Sequence, residues 1–306
     1  MICPSDSITL DAVLAESIEI LMPVFPETAR DETYRIMADY LSVPFSRLRT
    51  DRDRMTVTCG QKEEMIKRVN RRAKREPPQY LAKTACFMGE TFRVGKGVLI
   101  PRNDTEILVE EALRIASAIP GDFRFFEFCT GSGCIALSFL KKMREAGRTA
   151  RGVATDLSPD ALDYAAENAI SLGCTDRIRL VEWDMFSSPL PVEEAKFEMI
   201  LANPPYIRTN IIATLEPEVS LYEPMIALDG GPDGLRFYRR ILACAEELLA
   251  PDGWILLEIG YDQEQEVRSM VERTGCYGQI GCVRDYGGNP RVIAARRMEG
   301  TDGEQI

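Results

Sequence analysis

Apolar residues recur at helical spacing in the first part of the chain. One stripe covers a first segment that ends at two prolines, and its members are Leu10, Val13, Leu14, Ile18 and Leu21. A second helix is predicted from about Thr28 to Leu41, and a third from about Gln61 to Arg75. Because each apolar stripe needs a partner to bury it, residues 1–82 are predicted to form a small N-terminal helical bundle.

The pattern changes after Pro77. Residues 86–102 alternate loosely between apolar and polar side chains, contain β-forming residues and are interrupted by glycines. Such a pattern is typical of a hairpin. We therefore assign residues 83–103 to a β-hairpin that links two domains.

Strand-like and helix-like segments alternate from residue 104 onward. Five apolar runs are predicted strands: 123–129, 150–156, 177–183, 197–203 and 253–259. Ser158 and Pro159 predict a helix start, as N-cap and first helical residue. The alternation predicts an α/β domain over residues 104–298, with a mostly parallel sheet covered on both faces.

The last two predicted strands, around 278–285 and 291–296, have no helix between them. We expect them to form an antiparallel hairpin at one edge of the sheet. Residues 299–306 are assigned to a tail.

Size and charge narrow the class of protein. The chain has 306 residues, which exceeds one ordinary core, and its 45% hydrophobic and 28% charged residues are typical of globular domains. The net charge of −11 speaks against a general nucleic-acid binder, because phosphate affinity comes from clustered Lys and Arg.

Residues 61–76 are the exception to the acidic balance. Seven basic residues against three acidic ones give this segment +4, which leaves −15 for the rest of the chain. The segment fits a solvated helix face, and it also fits a docking surface for an acidic or RNA-rich partner.

Histidine is absent from the sequence. Its absence excludes Ser-His-Asp and Cys-His catalysis, imidazole bases and His-ligated metals. The nine cysteines are scattered without a C-x-x-C pair, so we expect neither a metal site nor a redox dithiol. We also expect no signal peptide and no membrane span, since no apolar run approaches roughly 18 residues. A cytoplasmic location follows as an expectation.

A glycine-rich turn follows the first strand of the α/β domain: Cys129, Thr130, Gly131, Ser132 and Gly133. Ligands bind beyond the carboxyl ends of strands in such sheets, and glycines there let the backbone approach a ligand closely. The second strand ends in Asp156, whose carboxylate can accept hydrogen bonds from ribose hydroxyls. The turn also satisfies G-x-G-x-x-A, with Asp156 twenty residues after Ala136, so NAD stays open on spacing alone.

Asp184 follows the third strand. A carboxylate there can accept a hydrogen bond from the amino group of an adenine that lies across the strand ends. An exposed aspartate without a ligand is the alternative interpretation.

The segment Asn203-Pro204-Pro205-Tyr206, here named the clip, follows the fourth strand. Two consecutive prolines make a stiff turn with two N–H donors removed. The Asn203 side-chain oxygen and the Pro204 carbonyl can hold both hydrogens of a planar –NH2 group, and Tyr206 offers a flat surface beside it. Such a clip suits methylation of an amide or exocyclic amine, because it orients a weak nucleophile and stabilises the positive charge that develops on nitrogen.

The clip, the glycine-rich turn, Asp156 and the stretch from Leu99 to Glu106 together resemble the HemK family of release-factor protein-(glutamine-N5) methyltransferases. The clip alone is shared with adenine-N6 and other amino methyltransferases, whereas residues 101–106 joined to it are much more specific. The resemblance covers about residues 65–297, including 223–235 and 257–260.

The resemblance implies a seven-stranded, Rossmann-like class I methyltransferase domain that uses S-adenosyl-L-methionine. It also implies an N-terminal domain that docks the release factor, whose Gly-Gly-Gln glutamine is modified. Residues 129–133 would hold the methionine part of the cofactor, Asp156 the ribose, and Asp184 with Met185 the adenine. Asn203 through Tyr206 would bind the glutamine, with Asn203 also beside the cofactor.

Five positions depart from the family pattern. Glu127 replaces an aspartate, Asn103 replaces a common proline, and Met185 replaces a frequent aromatic residue. Cys129 stands where the turn usually has its first glycine, and Lys83 interrupts a segment that usually carries glycine before the hairpin.

The leading hypothesis is methylation of the glutamine of peptide chain release factors by a cytoplasmic monomer, without a metal, a membrane or a specific nucleic acid. Adenine-N6 methylation of DNA or RNA is an alternative that requires a basic groove at the clip. An NAD-dependent dehydrogenase fits the turn but leaves the clip unexplained. A non-catalytic, translation-associated docking protein is the remaining alternative.

Overall fold

A computed structural model describes residues 7–187, 189–192 and 196–299, which form two compact units. One unit contains the described residues up to Thr84 together with Glu216–Tyr222. The other contains Ala85–Leu215 and the described chain from Glu223 onward. The N-terminal unit is therefore discontinuous in sequence.

Short helices dominate the N-terminal unit. Its elements are β1 (Ser7–Thr9), α1 (Leu10–Leu21), α2 (Ala29–Leu41), α3 (Phe45–Asp51), β2 (Thr56–Thr58), α4 (Cys59–Ala73) and α5 (Pro78–Ala82). The three predicted helices correspond to α1, α2 and α4. The sequence did not predict α3, α5 or the antiparallel pair of β1 and β2, because such short elements show no clear period.

Helix α4 begins two residues before its predicted start because Thr58 caps it. The Thr58 hydroxyl accepts from the Gln61 backbone N–H at 3.2 Å, and the Gln61 side chain accepts from the Thr58 N–H at 2.9 Å. This capping box satisfies two otherwise free N–H groups. The apolar faces of α1, α2 and α4 then meet in one core, where Leu14, Met37 and Met65 are buried.

Ion pairs hold Glu216–Tyr222 within the N-terminal unit. Arg72 is buried and binds both Glu32 and Glu218 at 2.8 Å. Arg75 binds Glu218 at 2.7 Å. A segment distant in sequence is thus fixed to the end of α4.

The second half of the structure alternates strands and helices after an initial hairpin. The elements are β3 (Thr84–Phe87), β4 (Glu90–Arg93), α6 (Glu106–Ser117), β5 (Phe123–Phe128), α7 (Cys134–Glu145), β6 (Ala150–Asp156), α8 (Pro159–Ser171), β7 (Ile178–Glu182), β8 (Phe197–Ala202), α9 (Thr209–Ile212), α10 (Pro217–Ser220, within the N-terminal unit), α11 (Arg236–Leu248), β9 (Leu249–Glu258), α12 (Glu264–Arg273), β10 (Tyr277–Arg284) and β11 (Pro290–Arg297).

Seven strands form one sheet in the order β10-β11-β9-β8-β5-β6-β7. The five strands from β7 to β9 in this order are parallel, whereas β11 is antiparallel to both β9 and β10. The predicted α/β class, the seven-stranded sheet and the edge hairpin are confirmed. Strand β9 starts at Leu249 rather than 253, because Leu249 already pairs with Phe197 beside a register irregularity.

Helices cover both faces of the sheet. Phe125 and Phe126 are neighbours on β5 and belong to separate apolar cores on opposite faces, since successive strand side chains point in opposite directions. The buried middle strands place their carboxyl ends at a single edge. In the part of the chain that the structure describes, no helix has the length and apolarity to cross a bilayer.

Candidate active site

The strand order reverses between β5 and β8, and ligands bind at such a reversal, beyond the carboxyl ends of the strands. A cavity of about 540 Å³ lies there, within the range of roughly 300–1,000 Å³ usual for small-molecule sites. Nine of the twelve predicted site residues line it: Cys129, Thr130, Gly131, Ser132, Asp156, Asp184, Met185, Asn203 and Pro205. The other three, Gly133, Pro204 and Tyr206, are not among the residues that line it.

Every second residue of the glycine-rich turn has a left-handed backbone conformation. Cys129 has φ 54°, Gly131 has φ 56° and Gly133 has φ 79°. A Cβ on Gly133 would lie 2.9 Å from the side chain of Leu137, so glycine allows α7 to start this close to the turn. The N–H groups of Thr130, Gly131 and Gly133 donate within the protein. Those of Ser132 and of the first turn of α7 are left to suit an anionic ligand group.

Asp156 joins the ends of β5 and β6. Its Oδ2 accepts from the Gly131 N–H at 2.8 Å, and its Oδ1 accepts from the Ser158 N–H at 3.0 Å. Burial raises the pKa of Asp156, and these backbone hydrogen bonds oppose the rise. Each carboxylate oxygen can accept a further hydrogen bond, so Asp156 can still bind hydroxyls in the cavity.

Glu127 lies buried beneath the turn. Its Oε2 accepts from the Thr130 hydroxyl at 2.6 Å, and its Oε1 has no hydrogen-bond partner among the described residues. Burial raises the pKa of Glu127 to about 8, against the effect of the Thr130 hydrogen bond. The side chain is therefore mostly protonated at neutral pH.

Asp184 and Met185 form another part of the cavity wall. The Asp184 carboxylate accepts from the Ser187 hydroxyl and, at 2.9 Å, from the Phe186 N–H. The Ser187 hydrogen bond is the main cause of the lowered pKa of Asp184. Asp184 is therefore a charged acceptor at the edge of the cavity.

The clip divides between the cavity and the interior. Asn203 is half-buried, and its Nδ2 donates to the Thr105 hydroxyl oxygen at 3.2 Å. Its Oδ1 makes no hydrogen bond within the described chain and remains free to accept. The Tyr206 hydroxyl instead lies 3.5 Å from Oε1 of Glu258, and burial raises the pKa of Tyr206.

A bracing loop, residues 228–234, supports the clip from behind. The Gly230 N–H donates to the Ile207 carbonyl at 2.8 Å. A Cβ on Gly230 would lie 2.7 Å from Cα of Tyr206, and one on Gly234 would lie 2.5 Å from the Tyr206 carbonyl oxygen. Glycine at both positions therefore lets the two backbone segments touch.

Three buried polar residues received no role from the sequence. Glu258, at the end of β9, is buried, and burial raises its pKa to about 7. Glu223 is buried, accepts from the Ile100 N–H at 3.3 Å and pairs with Arg102. Thr105 completes the group. All three lie in segments that carried the family resemblance, and this was the only signal in the sequence that could have identified them. Single residues at the ends of strands or helices have no spacing pattern that marks them as functional.

Relatives of this chain are methyltransferases. Residues 106–225 match the family described as RMKL-like, methyltransferase domain. The release factor glutamine methyltransferase of Geobacter sulfurreducens is 43% identical over 228 residues, which are 74% of this chain and 76% of that protein. The release factor glutamine methyltransferase of Agrobacterium fabrum is 38% identical over 244 residues, which are 79% of this chain and 81% of that protein.

The fold has a solved counterpart. The crystal structure of the hMettl16 catalytic domain in complex with MAT2A 3′UTR hairpin 1 superposes with a TM-score of 0.53 at 16% identity, covering 69% of this chain and 76% of that one. At this identity the likeness concerns the fold alone. Identity above 35% over most of both chains is a stronger finding. The chain belongs to the release factor glutamine methyltransferase family.

Proposed function

We propose that this protein transfers a methyl group from S-adenosyl-L-methionine to the side-chain amide nitrogen of the glutamine in the Gly-Gly-Gln motif of peptide chain release factors. One observation carries the proposal: Asn203 opens onto the same cavity as the glycine-rich turn and Asp156. A donor held by the turn and an amide held at Asn203 are then neighbours in one space. The relatives' names supply the substrate class.

The residues present fit S-adenosyl-L-methionine in size and chemistry. Residues 129–133 would hold its methionine part, with the Ser132 N–H and the first turn of α7 facing the carboxylate, and Asp156 suits its ribose hydroxyls. Asp184 can accept from the adenine amino group, and Met185 and Phe186 give apolar surface for the ring. When bound, the cofactor supplies an electrophilic methyl group on a sulfonium centre.

The clip prepares the acceptor nitrogen. An amide lone pair is delocalised, so the nitrogen reacts only if it is held in the right direction. Oδ1 of Asn203 and the Pro204 carbonyl each take one hydrogen of the glutamine –NH2 group. They also stabilise the positive charge that develops on nitrogen before it releases a proton.

Residues 1–82 dock the release factor in this proposal, residues 83–103 link the domains and residues 104–298 carry the reaction. In this proposal the enzyme acts as a monomer. Translation termination places it in the cytoplasm. No specific nucleic acid is required, and the charge of −15 outside residues 61–76 disfavours an adenine-N6 substrate in a nucleic acid.

The test is methyl transfer to a purified release factor. With methyl-labelled cofactor, label is expected on the glutamine of the Gly-Gly-Gln peptide, identified by mass spectrometry. Asn203→Ala is expected to lower turnover at least ~100-fold, by analogy with removal of one positioned oxyanion-hole group. The exposed Asn210→Ala, on α9, is the matched control and should keep wild-type turnover.

Two results would contradict the proposal. One is wild-type protein that binds the cofactor but leaves the Gly-Gly-Gln peptide unlabelled, which rejects the substrate. The other is equal turnover of wild type and Asn203→Ala, which rejects the role of the clip. Equal rates near zero would favour the docking-protein hypothesis.

A further inference from the structure

The side chain of Asn203 can face the substrate in two ways. Its carboxamide has an oxygen that accepts and a nitrogen that donates, and the two ends have nearly the same shape. The proposed reaction needs the oxygen towards the substrate, because a glutamine –NH2 group cannot hydrogen-bond to another –NH2 group by donating. A flipped Asn203 would therefore not hold the acceptor nitrogen.

Thr105 is the contact that bears on this choice. It is 2% exposed, ends the short 3₁₀ turn Asn103–Thr105 before α6, and accepts from Nδ2 of Asn203 at 3.2 Å. A threonine hydroxyl both donates and accepts, so this contact alone permits either orientation of the amide. The orientation of the amide is fixed only if the Thr105 hydroxyl donates its hydrogen bond to another acceptor, so that its oxygen accepts from Asn203.

Glu258 offers a buried acceptor for that proton. It is 1% exposed, and it follows Leu257, which pairs with Ala202 in the parallel register of β8 and β9, as Asn203 follows Ala202. The Thr105 hydroxyl acts to lower the pKa of Glu258. Oε1 faces the Tyr206 hydroxyl at 3.5 Å, whereas Oε2 is a buried acceptor without a hydrogen bond among the described residues. The Thr105 hydroxyl can therefore donate a hydrogen bond to a carboxylate oxygen.

We infer that Thr105 and Glu258 are positioning residues that set the direction of the Asn203 amide. Glu258 accepts a hydrogen bond from the Thr105 hydroxyl, the Thr105 oxygen then accepts from Nδ2, and Oδ1 is left facing the substrate. Because Glu258 also contacts Tyr206, one buried carboxylate positions both ends of the clip. This inference rests on the proposed function and assigns a task to the segment before α6.

Thr105→Val and Thr105→Ser test the inference as a matched pair. Valine keeps the shape but removes the hydroxyl, so kcat for release-factor methylation should fall about ten-fold, the equivalent of one lost hydrogen bond. Serine keeps the hydroxyl and should restore most of the rate. Cofactor affinity, measured by calorimetry, should change less than about two-fold in both, because neither substitution alters the turn or Asp156.

Glu258→Gln is the second test and does not depend on the folding of Thr105→Val. Glutamine keeps the size but brings a donor –NH2 group, which can donate to the Thr105 oxygen and turn its proton towards Asn203. We expect kcat to fall at least five-fold while cofactor affinity is kept. Wild-type kcat in Glu258→Gln, or in a folded Thr105→Val, overturns this inference alone; absence of wild-type methylation overturns the proposed function and the inference together.

Discussion

Two residues that depart from the expected family pattern carry a Cβ in a left-handed backbone conformation. Cys129 has φ 54° and Lys83 has φ 61°, both in the left-handed region. A side chain with a Cβ costs roughly 1–2 kcal/mol there. The sequence identified both residues as departures from the expected pattern, but only the structure gives their backbone angles, because φ depends on how the chain is held on both sides of a residue.

Glu127→Gln is expected to stabilise the protein at neutral pH. The folded-state pKa of about 8 lies above the ordinary glutamate value of 4.5. The contribution of Glu127 to stability is fully present below pH 4.5 and is lost as the pH rises towards 8, because the unfolded chain releases this proton first. Each pKa unit corresponds to about 1.4 kcal/mol, so the difference should reach several kcal/mol.

Urea unfolding of wild type and Glu127→Gln at a series of pH values measures this difference. The two free energies of unfolding should nearly coincide at pH 4.5 and separate as the pH approaches 8. A gap that is constant over this range would show that the proton on Glu127 is not its cause.

Among the elements, helix α4 shows that basic side chains which could bind a partner, judged from the sequence, form ion pairs within the folded chain. Of the seven basic residues in 61–76, which lie in α4 and directly after it, six pair with acids of the N-terminal unit: Lys62 with Glu16, Lys67 with Glu64, Arg68 with Asp39, Arg71 with Glu76, Arg72 with Glu32 and Arg75 with Glu218. Within the described chain, only Lys74 of the seven lacks an ion pair. The structure therefore favours the solvated-face interpretation over a docking surface for an acidic partner.

The close contact between the bracing loop and the clip predicts that a side chain at Gly234 displaces the clip. Gly234 and Gly121 both have positive φ, at 73° and 87°. A Cβ at Gly234 would lie 2.5 Å from the Tyr206 carbonyl oxygen, whereas a Cβ at Gly121 has no neighbour within 4 Å among the described residues. Gly234→Ala should therefore displace the clip and lower kcat about ten-fold or more.

Gly121→Ala serves as the control for backbone strain. It should lower the free energy of unfolding by about 1 kcal/mol but leave the methylation rate unchanged. Equal rates for the two variants would show that the bracing loop does not position the clip.

The whole molecule has a discontinuous N-terminal unit. The chain leaves the methyltransferase unit after Leu215, contributes Glu216–Tyr222 to the N-terminal unit and returns at Glu223. This excursion begins ten residues after Tyr206, the last residue of the clip. The sequence analysis, which ends the N-terminal domain at residue 82, does not predict that Glu216–Tyr222 joins this unit. The reason is that a short polar segment has no periodicity that assigns it to either unit.

Arg72→Met is expected to release this segment. Its loss leaves Glu32 and Glu218 without their shared cation, and unpairing a buried charge costs about 3 kcal/mol. Hydrogen exchange in peptides spanning Glu216–Tyr222 should accelerate. Lys74→Met, two residues away and without an ion pair among the described residues, should leave exchange near wild type; the same acceleration in both variants would disprove the role of Arg72.

The sequence by itself determined the alternation of strands and helices, the edge hairpin and the chemistry of the turn and the clip. These features are local: periodicity, proline stiffness and side-chain donors and acceptors are properties of short stretches of chain. Relatives of the same family then fixed the class of reaction.

Only the tertiary structure decided which distant residues complete the site. Thr105 lies 98 positions before Asn203, and Glu258 lies 52 positions after Tyr206, and only the folded chain brings them together. Burial, which raises the pKa values of Glu127 and Glu258, likewise depends on what packs around them. Contacts across such separations are set by crossover connections and core packing, and no local pattern of residues encodes them.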